Sequence, residues 1–147
     1  MARDRLLGVR LIAAYLFLKA TALIVAEAVV HSRSDLQPEA DEFISYFAIN
    51  LGASLRHQSA LLTAFLDVSV GLGIWFLRRW ARTVIVLTNS YGLCRITIGS
   101  AILMNLDRRF LTSQISSPYF AISVVAAILI LFYLLDTDVK RAFGVRE

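Results

Sequence analysis

The sequence predicts an all-α membrane protein, an antiparallel four-helix transmembrane bundle with a short amphipathic helix in the first exported loop. Of its 147 residues, 58% are hydrophobic and only 18% are charged, and the mean hydropathy is +0.67. Soluble domains run at about 45 to 50% apolar and about 25% charged. The apolar residues fall into four long runs, each near the roughly 20 residues a helix needs to cross about 30 Å of hydrocarbon. Within each run the apolar residues are continuous and not alternating, which excludes the roughly ten-residue dyad pattern of a membrane β-barrel. The same composition excludes a soluble globular domain, a disordered tail and a nucleic-acid binder, although the net charge is +4 and the pI 9.6.

The first span is expected over residues 11–30. Arg3, Arg5 and Arg10 precede it, as they would a secretory signal, but the run is longer than a signal core and carries Lys19 midway. The exported stretch 31–57 is too long for a simple turn. Pro38 suits the start of a helix, acidic Glu39, Asp41 and Glu42 follow, and Phe43, Ile44, Phe47 and Leu51 form one stripe, so a short helix lying on the outer membrane surface is expected there. The second span is expected over 58–77 and the third over 81–104, joined by so short a link that they must form a hairpin. The fourth, 118–135, has no charged residue. Beyond it, Val139 and Phe143 share a stripe of a short continuing helix, with Gly144 as its stop. The chain is read as a single membrane domain, 1–147.

Orientation follows from the flanks, because basic residues are retained on the cytoplasmic side. Nine basic residues fall on one side: Arg3, Arg5, Arg10, Arg78, Arg79, Arg82, Lys140, Arg141 and Arg146. Four fall on the other: Arg33, Arg56, Arg108 and Arg109. Both termini are therefore expected in the cytoplasm, and Trp75 and Trp80 mark that boundary as an interfacial aromatic belt would.

Four ionisable residues stand inside spans: Lys19, Glu27, Asp67 and Arg95. Each costs at least about 2.5 to 3.5 kcal/mol at mid-depth unless it faces protein or water. Counted from the hairpin tip, Asp67 and Arg95 rise about 18 and 23 Å, a difference an arginine side chain spans. Thr63, Asp67 and Gly71 share one helix face, as do Thr88, Gly92, Arg95 and Gly99, and small residues at such spacing let backbones approach. The expected arrangement is a buried charge cluster in which Asp67 bridges Arg95 and Lys19, with Gly71, Gly92 and Gly99 as packing positions. Cys94 is the single cysteine, so the chain has no intramolecular disulfide and no CxxC motif.

Three functional readings follow. In the first, the cluster locks a noncatalytic bundle that serves as an accessory or structural subunit, its partners being the bilayer and a larger membrane protein or a second copy of itself. In the second, Asp67 or Glu27 is the exchanging carboxylate of a proton, ion or solute path. In the third, Glu27 and His31, four residues apart on one helix face, act with His57 as metal or haem ligands near the exported surface. HExxH, GxSxG and GxxxxGK[ST] are all absent, and Gly71-Leu72-Gly73 lacks the rest of a dinucleotide fingerprint, so neither an enzyme nor a bound cofactor is expected.

The hairpin GLGIWFLRRWAR, Gly71 to Arg82, and the tail YLLDTDVKRAFG, Tyr133 to Gly144, resemble patterns in small uncharacterised bacterial four-span membrane proteins. The resemblance covers these two patches and the span plan. It implies a multi-pass protein of the bacterial inner membrane and carries no catalytic residues with it.

Overall fold

In a computed structural model of the chain, the backbone is described at residues 2–32, 36–49, 56–106 and 117–144, and the side chains there except at 2–6, 56–57 and 99–106. The described residues form six helices and no strand: α1 (Ala2–Ser32), α2 (Gln37–Phe47), α3 (Arg56–Trp75), α4 (Arg79–Leu106), α5 (Pro118–Leu135) and α6 (Thr137–Ala142). Among the described residues three segments are long and apolar enough to cross a membrane, namely Leu7–Ser32, Gln58–Trp75 and Pro118–Leu135. The expected third span lies within α4. At 28 residues, or about 42 Å, α4 has the length to cross, but Arg82, Thr83, Thr88, Asn89, Ser90, Arg95 and Thr97 leave it more polar than the other three.

The chain divides into two compact units, Met1–Ala81 and Arg82–Glu147. In the first, α1 packs against both α3 and α2. α1 is apolar almost all round, yet Val9, Ile12, Ala13, Leu16, Ala20, Leu23 and Ala26 are buried, one stripe at helical spacing. α3 answers with Ala60, Thr63, Ala64, Val70, Gly71 and Ile74. Contacts fall along α3 as they rise along α1, from Arg10 beside Trp75 to Lys19 beside Asp67, so the two helices are antiparallel.

α2 is found where the loop stretch predicted it, with Pro38 and Glu39 in its first turn. Its apolar face is covered by protein: Ala40 and Ile44 are buried in one cluster with Ala20, Leu23 and Ala26 of α1 and Ala60 and Ala64 of α3. The buried part of the stripe, Ala40 and Ile44, thus packs on protein where contact with lipid was expected. Phe43 and Phe47 stack at 4.6 Å beside the cluster. Leu51, placed on the same stripe, lies outside the described residues.

The expected second span ran to residue 77, but α3 ends at Trp75. The Arg78 amide donates to the Gly73 carbonyl at 2.8 Å and the Leu77 amide to that of Ile74 at 3.0 Å, the paired bonds of a Schellman stop. Leu77 takes the left-handed position at φ 54°, usually glycine's.

In the second unit α5 packs on α6. Asp136 caps α6, its carboxylate accepting from the amides of Asp138 and Val139 at 2.9 and 3.3 Å. Gly144 ends the segment at φ 71°, and Val139 and Phe143 are both buried. Arg82 donates from Nε to the Leu134 carbonyl of the last α5 turn at 3.0 Å. A guanidinium at that position meets the negative end of the helix dipole.

Candidate functional site

The mid-helix charges of the first unit meet in the seam between α1 and α3. Lys19 Nζ lies 2.9 Å from Asp67 Oδ2, with the two side chains only 18% and 13% exposed. The spacing of Thr63, Asp67 and Gly71 brings this about by turning one face of α3 toward α1. At Gly71 an added Cβ would stand 3.1 Å from the Phe17 ring, so the absence of a side chain is what admits that ring two residues from Lys19. Tyr15, one turn before Lys19 and half-buried, is close enough to Asp67 to feel its charge. The sequence reading missed Tyr15, whose i, i+4 relation to Lys19 was the available signal.

Polar side chains elsewhere along these helices bond back to their own backbone. Thr21, Ser69, Thr88 and Thr97 donate to carbonyls four residues earlier at 2.9 to 3.0 Å, and Asn89 Nδ2 does the same at 2.8 Å. Such bonds lower the cost of a hydroxyl or amide in hydrocarbon. Thr63 goes further. Its Oγ1 donates to the Ser59 carbonyl at 2.6 Å and accepts the Ile49 amide at 2.8 Å, tying the chain just after α2 to α3.

Glu27 lies farther along α1 and is buried at 7% exposure. Its Oε1 is 3.5 Å from His31 Nδ1, and the same nitrogen is 2.9 Å from the Glu27 carbonyl. Glu27 therefore belongs to a separate place from the Lys19–Asp67 pair. The His57 side chain lies outside the described residues, and among those described no group of three or more His, Cys, Asp and Glu side chains gathers as a metal site.

Arg95 stands half-buried on α4 in the second unit, apart from the first unit's Lys19–Asp67 pair in the division of the chain. Among the described residues a Cβ at Gly92 would meet no atom within 4 Å, and the surroundings of Gly99 lie outside the described side chains. Gly73, the second glycine of the Gly71-Leu72-Gly73 motif, makes a closer approach than Gly71. A Cβ there would stand 2.5 Å from Ala81 Cβ and 2.8 Å from the Trp80 ring, because the tight turn folds the start of α4 onto the end of α3. Comparison with protein-family models, curated proteins and solved structures finds no match for the chain.

Proposed function

We propose that the chain is a noncatalytic integral membrane protein that serves as an accessory or structural subunit of a larger membrane protein complex. It crosses the bacterial inner membrane four times, with α4 as the third span and both termini in the cytoplasm. The observation that carries this reading is the Lys19–Asp67 pair, two opposite charges in contact inside a helix seam. Each neutralises the other where the helices pack, which suits a lock on helix register. The self-bonded hydroxyls and amide of α4 make its crossing tolerable despite its polarity.

The experiment is mild native purification of the tagged protein from its source membrane, with mass spectrometry and an absorption spectrum of the same fraction. Stoichiometric recovery of a larger membrane protein supports the accessory role. A lone, colourless protein, or one containing only copies of itself, refutes it.

A second reading, a proton, ion or solute path through Asp67 or Glu27, is favoured by the burial of Glu27 within an apolar helix. It requires that Asp67→Asn or Glu27→Gln abolish flux in vesicles while leaving the fold intact. The accessory role requires loss of assembly instead.

A further inference from the structure

The turn between α3 and α4 gathers features that neither the ion pair nor the accessory role uses. Arg10, Arg78 and Arg79 are exposed, as are Trp75 (49%), Phe76 (68%) and Trp80 (51%), and all six belong to the first unit. Both indoles are held in place. The Arg10 guanidinium lies 5.6 Å over the Trp75 ring, and the Trp80 ring lies over Gly73, where a Cβ would stand 2.8 Å from it. The left-handed Leu77 and the two Schellman bonds define the backbone between them, where Arg78 and Arg79 are exposed. Trp75 is also the last residue of a segment apolar enough to cross a membrane, which puts this corner at the depth of lipid headgroups.

We propose that this corner is a binding site for an anionic phospholipid headgroup. Its lipid phosphate is held by the guanidinium groups of Arg78, Arg79 and Arg10, while Trp75, Phe76 and Trp80 lie among the adjoining acyl and glycerol groups. Guanidinium forks match phosphate oxygens in pairs. An arginine stacked on an indole keeps its edge donors for a second partner while its face is occupied. Interfacial indoles supply the apolar contact that a free phosphate in water does not need, which is why the occupant is a lipid. The site rests on insertion in a membrane and not on the accessory role.

The test uses the full chain in nanodiscs of phosphatidylcholine alone or of an equal mixture of phosphatidylcholine and phosphatidylglycerol, with retained lipids counted by native mass spectrometry. Wild-type protein is expected to keep phosphatidylglycerol in preference to phosphatidylcholine. Arg10→Gln, which leaves the turn intact, is expected to weaken that preference about fivefold, and Arg78→Gln/Arg79→Gln by a further several-fold. Lys140→Gln/Arg141→Gln removes the same charge as the turn double variant from elsewhere and is expected to change it less than about twofold. Equal retention of the two lipids by wild type, or equal losses in the two double variants, overturns the site. Failure of the chain to enter nanodiscs at all overturns the membrane reading along with it.

Discussion

Lys19 and Asp67 show how a charge survives in an apolar helix pair. Each would be intolerable alone, and their contact at 2.9 Å makes each the condition of the other. Asp67→Asn leaves the ammonium unmatched and is expected to cost about 3 to 5 kcal/mol. Lys19→Met/Asp67→Leu is expected to recover most of that loss, because an apolar pair of similar bulk often replaces a buried ion pair without penalty. Thermal melts of the two variants in detergent check this, and an Asp67→Asn protein that melts with wild type removes the pair as a stabilising feature. Leu77 is the complementary case, a residue placed against its backbone preference at φ 54°. Leu77→Gly relieves roughly 1 kcal/mol of left-handed strain and is expected to raise the melting temperature.

Elements meet here through small residues, and the two glycines of one short motif differ in kind. Gly73→Ala places a methyl 2.5 Å from that of Ala81, so the start of α4 must move off the end of α3. The expected loss is about 1 to 3 kcal/mol. Gly71→Ala brings a methyl to 3.1 Å from the Phe17 ring, which must give by a few tenths of an ångström, and the variant gains helix propensity worth about 1 kcal/mol. It is expected to be near neutral, and reversal of the order of the two melting temperatures contradicts the geometry. In the second unit, Arg82→Gln withdraws a charged donor from the Leu134 carbonyl, with an expected cost of about 1.5 to 3 kcal/mol. Asp136→Ala leaves the α6 amides uncapped at a cost of about 1 kcal/mol. Faster hydrogen exchange confined to the last turn of α5 in the first case, and to α6 in the second, is the expected signature.

At the scale of the molecule, three of the described helices meet the length and composition of a membrane crossing, and their own packing covers them unequally. Only 11% of the α5 window is buried, against 39% for α1 and 50% for α3. The proposed topology makes α4 a fourth crossing. Reporter fusions after residues 34, 78, 112 and 147 are expected to read outside, inside, outside, inside. A reporter at 112 that reads inside removes α4 as a span and places the two ends of the chain on opposite sides of the membrane.

The apolar runs were legible in the sequence because hydropathy accumulates over a window and needs no partner. Turn and cap chemistry was legible in part, since Pro38 and Gly144 act through their own backbone. Asp67 was recognisable as a residue in need of a cation, because a lone carboxylate among leucines has few alternatives. Lys19 and Arg95 were both named as its partners from their depth in the spans, and the contact with Lys19, 48 positions away, is made in the first unit by the register of α1 on α3. α1 is apolar on nearly every face, so no periodicity marks the side that α3 covers. The same limit hid the fate of α2, whose stripe fits lipid and protein alike until the alanines of α1 and α3 are brought beside it. Composition determined the solvent in which this chain folds. Tertiary contact alone decided which surfaces face each other, because apolar side chains satisfy lipid and protein equally and only shape distinguishes the two.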